Sequence, residues 1–351
     1  MATAAQTVSA KQMLLGDVLR RVSRSFYLTL HVLPRSVRDQ VGLAYLFARA
    51  ADTIADTDLI AKADRLLFLK RFRGLFAGDR VDPEEVRVIQ AAVAPRQTDS
   101  GERALLEQLD ACFRLYQGLD PGDRERIRTL MGTLPNGMEM DLTSFPGDSV
   151  QDLTALPAMA DLDRYTYYVA GCVGEFWTEM MCAHRPSLAR WDRARMAAIG
   201  VRFGKGLQLT NILKDLPRDL RRGRCYVPAT LVREAGLEPR DLLNQENLPA
   251  IRPVLSRLVR IALEHLDQGW LYTMAIPRRE LRLRLACMWP ILFAGATLRL
   301  LTGSSAWLDP SANLKISKGQ VYRIMAVTVL TGGCGYAGTA YWGSLRKQVG
   351  C

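Results

Sequence analysis

Twice in a chain of 351 residues, an apolar helical run ends on two aspartates four positions apart. The first runs from Ser36 to Asp58, SVRDQVGLAYLFARAADTIADTD, and helical spacing puts Tyr45, Arg49, Asp52 and Asp56 on one stripe. Two like charges at i and i+4 repel by roughly 0.2–0.5 kcal/mol. Near a helix C-terminus the macrodipole disfavours anions as well. Folding alone therefore gives no reason for acids there. A bound cation removes both penalties, and paired carboxylates are how Mg²⁺ is held beside a substrate phosphate. A solvated face is the plain alternative for either pair.

The second run starts at Val201, VRFGKGLQLTNILKDLPRDLRRGR. Gly204, Gln208, Asn211 and Asp215 share one stripe, and Asp219 follows at the next i+4 step. Arg218, Arg221, Arg222 and Arg224 surround or follow the pair. Carboxylates for a metal beside a fork of guanidinium groups suit a diphosphate, whose oxygens Mg²⁺ bridges and Arg clamps. Pro217 is expected to end or bend this helix.

The rest of the chain reads as helix. Residues 1–33 form an amphipathic entry, Ile60 to Phe76 an outer core helix, and Asp82-Pro83-Glu84-Glu85 and Asp120-Pro121 are helix starts. PRQTDSG is a loop before a helix over Glu102–Gly118, and Pro135 and Gly137 interrupt the helix opened at Pro121. Asp161 to His184 is a helix, 245–252 a linker, and Pro253–Met274 and Arg278–Thr302 are two more helices, with a kink expected at Pro290. Strand patterning is nearly absent. The expectation is an all-α single domain over 1–320 with a central cavity between helices, followed by a hydrophobic tail over 321–351.

Hydrophobic residues make up 48% of the chain, enough for a sizeable core, and the formal net charge is +11. The basic residues are spread along helices, with no aromatic-interleaved basic stripe, so no nucleic-acid partner is expected. Such a surface equally suits anionic diphosphates and lipid headgroups. The seven cysteines have no paired spacing, which points to buried thiols in a reducing compartment. The first 22 residues show no signal-peptide pattern. His31, His184 and His265 are too scattered for a metal site. Gly333-Cys334-Gly335-Tyr336-Ala337-Gly338 matches a dinucleotide fingerprint in letters alone, because the chain ends too soon after it for the rest of such a fold. Ile324 to Trp342 carries no charge; it approaches a membrane span in length, and equally suits a last core helix or peripheral membrane contact.

Several motifs resemble the squalene/phytoene synthases, head-to-head prenyl transferases of the all-α isoprenoid synthase fold. They are SRSF at Ser23–Phe26, ADTIAD at Ala51–Asp56, DRYTYYVAGCVGE at Asp163–Glu175 and QLTNILKD at Gln208–Asp215. The likeness runs from about Ser23 to Gln320, in the family's order. The YxxYVAG stretch and LKISKGQ at Leu314–Gln320 look like squalene synthases, most of all bacterial ones, whereas GRCYVPATLVREAGL at Gly223–Leu237 looks like the phytoene branch.

The resemblance implies that two farnesyl diphosphates condense through presqualene diphosphate, with reduction to squalene by NADPH. Mg²⁺ would be held by Asp52, Asp56, Asp215 and Asp219. Tyr165 matches the tyrosine beside the reacting carbocation, where a phenol can move a proton and its ring can stabilise positive charge. On its helix Tyr168, Cys172 and Glu175 share its face, while Gly171 and Gly174 admit a close neighbour. Arg24, Ser25, Tyr45, Arg49, Tyr168, Gln208, Asn211, Lys214 and Arg224 match substrate positions. Arg24, Arg49, Lys214, Lys315 and Lys318 match contacts to cofactor phosphates. A place at the cytoplasmic face of a membrane, near enzymes that use squalene, follows from lipid substrates and products. The alternatives are a phytoene or dehydrosqualene synthase, which omits reduction, and a non-catalytic membrane-associated assembly protein of the same fold. This chain departs from the squalene synthase pattern at Ala55 and Thr57, at Arg218 where a Glu is usual, and at Ser317 where a basic residue is usual.

Overall fold

The computed structural model describes residues 11–23, 26–331 and 335–349. As the periodicity predicts, it is built from helices, with one two-residue parallel bridge among the described residues. Two compact units can be distinguished: Met1–Leu142 with Glu179–Arg185, and Thr143–Thr178 with Pro186–Cys351.

The first unit begins with a π-helical turn over Met13–Val18, α1 (Leu19–Ser23) and α2 (Phe26–Val32). These precede α3 (Arg35–Asp56), the helix of the first acid pair. Arg38 donates to the Leu33 carbonyl at 3.2 and 2.7 Å, closing the turn between α2 and α3. Helices α4 (Lys62–Gly74), α5 (Pro83–Val93), α6 (Ser100–Glu107), α7 (Leu109–Gln117), α8 (Pro121–Thr133) and α9 (Pro135–Ser144) follow. The starts at Asp82-Pro83 and Asp120-Pro121 are those expected, whereas the run expected as one helix over Glu102–Gly118 is broken at Gln108 into α6 and α7. Asp82 caps α5 through the Glu84 amide at 2.9 Å, Asp120 caps α8 through Gly122 at 2.9 Å, and each has Pro in the first turn. The core is aromatic: Phe47 of α3 meets Phe76, Phe113 and Tyr116 at ring separations of 4.9, 4.8 and 5.9 Å. Burying that face leaves the opposite stripe of α3 toward solvent.

The second unit contains β1 (Thr154–Ala155), α10 (Met159–Thr166), a π-helical turn over Tyr167–Gly171 and most of α11 (Cys172–His184). Then come α12 (Arg193–Arg221), β2 (Arg224–Cys225), α13 (Ala229–Glu234), α14 (Leu248–Ala275), α15 (Leu281–Thr302), α16 (Lys318–Leu330) and α17 (Gly335–Val349). Helix α12 lies against α14, where Gly269 admits the Phe203 ring. The π turn and the first turn of α11 lie so close to α12 that a Cβ on Gly174 would sit 2.1 Å from the Gly200 carbonyl oxygen, and one on Gly204 2.1 Å from that of Ala170. This is the close neighbour that the glycines of VAGCVGE foretell.

Three further expectations need correction. The Asp161–His184 run is not uniformly α-helical: the π turn adds a residue per turn and brings Tyr167, rather than Tyr168, over Glu175, with a hydroxyl–carboxylate distance of 3.1 Å. The linker over 245–252 is instead a 3₁₀ turn, Gln245–Asn247, and the start of α14, because Pro249 falls in the first turn, where a missing N–H costs nothing. Pro217 does not end α12, which continues to Arg221. A proline leaves the carbonyl four residues back without its amide donor. Here that carbonyl is Leu213, and the fully buried Trp307 indole donates to it at 2.9 Å.

The tail belongs to the second unit and packs on its helices. Trp342 stacks on Trp270 at 6.1 Å and donates to Asp267 at 2.9 Å, and Arg346 pairs with the same carboxylate at 2.8 Å. Among the described residues the helix long and apolar enough to cross a membrane is α15, and 72% of its apolar window is buried within the protein. The described cysteines are buried thiols, and burial pushes Cys112, Cys172, Cys225 and Cys287 up to about 12. His184 sits on the carboxylate of buried Asp123 at 2.8 Å, and His265 accepts from Arg202 at 3.2 Å.

Candidate functional site: two acid stripes

On α3 the predicted stripe is the wet side of the helix. Tyr45, Arg49 and Asp52 are half-buried and Asp56 is exposed, while Leu46, Phe47, Ala50 and Ile54 between them are fully buried. The Tyr45 hydroxyl donates to the Val22 carbonyl at 3.4 Å, tying α3 to α1. Arg49 is held between two carboxylates, Asp52 one turn on and Glu102 in the first turn of α6. Burial works against its charge, but Asp52, Glu102 and Tyr45 outweigh that and raise its pKa. Glu102 is a residue that sequence reasoning missed. Its signal was present: Asp99 caps α6 through the amides of Gly101 and Glu102, which fixes Glu102 on the first turn.

On α12 the second stripe is likewise the less buried side of its helix. Gln208, Lys214, Asp215 and Asp219 are half-buried and Asn211 is exposed, with Leu209, Ile212, Leu213, Leu216 and Leu220 buried behind them. Lys214 reaches Asp215 at 3.3 Å and the Asn211 side-chain oxygen at 3.5 Å. Arg218 lies between the two acids, 3.7 Å from Asp215 and 3.8 Å from Asp219. Burial, with Asp215 adding to it against the pull of Arg218, Arg224 and Arg222, pushes the Asp219 carboxyl up to about 7. This acid pair therefore carries more negative charge than its surroundings comfortably solvate, and a cation would relieve it.

The chain reverses directly after α12. Gly223 takes φ +76°, the left-handed turn that closes a helix, and a side chain there would meet the Ser149 carbonyl oxygen at 2.6 Å. The reversal forms the β1–β2 bridge, pairing Thr154 with Arg224, and sets Arg224 3.2 Å from Asp148. The next residue but one, Tyr226, stacks on Tyr165 at 4.8 Å with the hydroxyls 3.3 Å apart. Phe145 meets the Tyr226 ring edge-on at 5.2 Å. Tyr165 is thus a buried phenol in an aromatic box, with a hydrogen-bonded second phenol able to share its proton. Tyr226 and Asp148 were not anticipated, though Tyr226 stands two residues from the expected Arg224.

The remaining predicted residues are placed as follows. Tyr168 is half-buried, and its carbonyl accepts from the Cys172 thiol at 2.9 Å. Lys315 and Lys318 are exposed on either side of Ser317, whose hydroxyl caps α16 through the Gln320 amide at 3.1 Å. The serine that replaces a basic residue therefore has a structural task. Arg24 and Ser25 lie outside the described residues.

Among the described residues, no three acids, histidines or cysteines converge to cage a metal unaided. Mg²⁺ does not need such a cage: it keeps several waters and uses one or two carboxylates plus substrate phosphate oxygens. Asp215 with the pKa-raised Asp219, and Asp52 with Asp56, fit that donor set.

The sequence profile described as Squalene/phytoene synthase matches residues 19–320. The squalene synthase ERG9 of Saccharomyces cerevisiae is 27% identical over 317 residues, spanning 90% of this chain and 67% of that protein. A bifunctional lycopene cyclase/phytoene synthase of Colletotrichum graminicola is 28% identical over 252 residues, 72% of this chain and 40% of that longer one. In fold, the chain is similar to TcSQS solved with a bound ligand, with a TM-score of 0.76 at 22% identity, covering 97% of this chain and 91% of that one. A profile matching most of the chain, on the all-α isoprenoid synthase fold it was expected to have, settles its membership: it belongs to the squalene/phytoene synthase family.

Proposed function

We propose that the chain is a squalene synthase, joining two farnesyl diphosphates head to head through presqualene diphosphate and reducing the product to squalene. The observation that carries this reading is the pair of acid stripes, each on the C-terminal half of a helix otherwise buried, and each flanked by arginine. Mg²⁺ held by Asp52, Asp56, Asp215 and Asp219 would neutralise a departing diphosphate, and NADPH, when bound, would supply the hydride. Arg49, Lys214, Arg218 and Arg224 offer fixed positive charge to diphosphate oxygens, stabilising charge that grows as the C–O bond breaks. Asp52 and Glu102 hold Arg49 ionised, and Asp148 orients Arg224. The hydrogen-bonded hydroxyls of Tyr165 and Tyr226 would relay the proton lost in cyclopropane closure, each taking one proton as it gives up its own, to the released diphosphate as final acceptor, while the stacked rings stabilise neighbouring positive charge. Gln208, Asn211 and Tyr45 border the same stripes and would contact substrate. Lys315 and Lys318, exposed beside the start of α16, fit the phosphates of a dinucleotide.

A second reading, a dehydrosqualene or phytoene synthase, is favoured by Ser317, which gives its side chain to capping α16 and leaves that segment one positive charge short. Mass-spectrometric product analysis after incubation with farnesyl diphosphate and Mg²⁺, with and without NADPH, separates the two. Squalene formed with NADPH supports the first reading. Dehydrosqualene that persists despite NADPH sinks it, and use of geranylgeranyl diphosphate alone points to phytoene. Absence of any turnover would favour a non-catalytic assembly protein.

The reading also places the chain on the cytoplasmic face of a membrane. Tyr322, Val327, Val329 and Leu330 of α16 and Tyr336 of α17 are exposed, and a basic protein handling lipid would use such a surface. Sedimentation with anionic vesicles tests it; failure to bind them at low salt refutes it.

A further inference from the structure

Pro217 stands midway between Asp215 and Asp219. A helix interrupted at that point would turn the two acids in different directions. Yet α12 runs unbroken to Arg221, and the Leu213 carbonyl, which has no amide partner at residue 217, accepts from the Trp307 indole at 2.9 Å. Trp307 and Leu213 are both fully buried. The segment carrying it is firmly held. Arg252 donates to the carbonyls of Thr302 and Ser304 at 2.9 and 2.7 Å. Gln245 donates to the Ser305 carbonyl and accepts from the Leu308 amide at 2.8 Å. One turn further along α12, Arg221 donates to the Pro217 carbonyl at 2.8 Å.

We propose that Trp307 is a positioning residue for the second acid pair. Its indole N–H stands in for the amide proton that Pro217 lacks, keeping Asp215 and Asp219 on one face of α12. The proposal rests on the reading of those acids as Mg²⁺ ligands, and it explains why a chain with proline inside this motif can still use both. It also makes Pro217 and Trp307 a coupled pair: proline at 217 is tolerated because tryptophan is at 307.

The test is a cycle of three variants of the full chain, Trp307→Phe, Pro217→Ala and the double variant. Two properties are read: Mn²⁺ affinity from the EPR signal of the free ion, and hydrogen exchange of the peptide spanning 213–221. Trp307→Phe keeps an aromatic ring and removes the donor. It is expected to weaken Mn²⁺ binding about tenfold and to speed exchange across the peptide. Pro217→Ala alone should resemble the parent protein. The double variant should return to near-parent values in both measurements, because replacing the proline by alanine restores the backbone donor. A double variant as impaired as Trp307→Phe, or a Trp307→Phe protein indistinguishable from the parent, overturns the proposal. If the parent itself binds no Mn²⁺, the metal reading of the acids fails, and the proposal that Trp307 positions a metal-binding pair falls with it. Hydrogen exchange then still reports separately whether the indole replaces the proline's missing donor.

Discussion

Replacing Asp219 by Asn should make the metal-free protein more stable, and increasingly so as pH rises. The native carboxyl titrates at about 7 against 3.8 in its ordinary state, with burial the first cause. Because the native pKa is the higher one, the folded state binds the extra proton between those values. Stability is therefore lost as pH increases through that window. Each pH unit is worth about 1.4 kcal/mol. Near pH 5.5 the unfolded chain already has an ionised aspartate while the native one is neutral, a penalty of about 2 kcal/mol. Near pH 8 the full difference applies, about 4 kcal/mol. Asparagine at 219 carries no such penalty, so its advantage over aspartate should widen by about 2 kcal/mol across the range. Urea denaturation in EDTA at the two pH values measures this. Added Mg²⁺ should reverse the ranking at the higher pH by stabilising the parent alone. An advantage that is constant or shrinks with pH would refute the claim that Asp219 is a buried acid awaiting a cation.

Gly174→Ala should cost about 3 kcal/mol or more, since its Cβ would fall 2.1 Å from the Gly200 carbonyl oxygen; a melting temperature unchanged by the substitution would contradict that packing. Glu102→Gln should concentrate Arg49 on Asp52 and raise the Mg²⁺ concentration needed for half-maximal turnover several-fold; an unaltered Mg²⁺ titration would show that Glu102 has no part in setting up the acid.

The helical class was legible because period-3.6 patterning dominates and capping signals such as Asp82-Pro83 and Asp120-Pro121 act locally. Both acid stripes were legible for the same reason: four or five polar residues at helical spacing on an apolar helix define a face before any tertiary contact is known. What stayed hidden depended on residues distant in the chain. Pro217 looks like a helix end in the sequence because the donor that rescues it lies 90 positions later, at Trp307. Glu102 looks like an ordinary first-turn acid until α6 is set against Arg49. Tyr167 displaces Tyr168 from its expected place over Glu175 because the π turn shifts the register, and a periodicity argument assumes constant pitch. Ser317, which reads as a lost positive charge, is an N-cap.

The central claim is that aspartates from both stripes hold the divalent ions that drive diphosphate departure. Diphosphate release from farnesyl diphosphate by the Asp52→Asn, Asp215→Asn double variant tests it most directly, with circular dichroism to confirm folding. The account predicts a folded protein whose release rate has fallen at least about a thousandfold at saturating Mg²⁺. Release at the parent rate would contradict it.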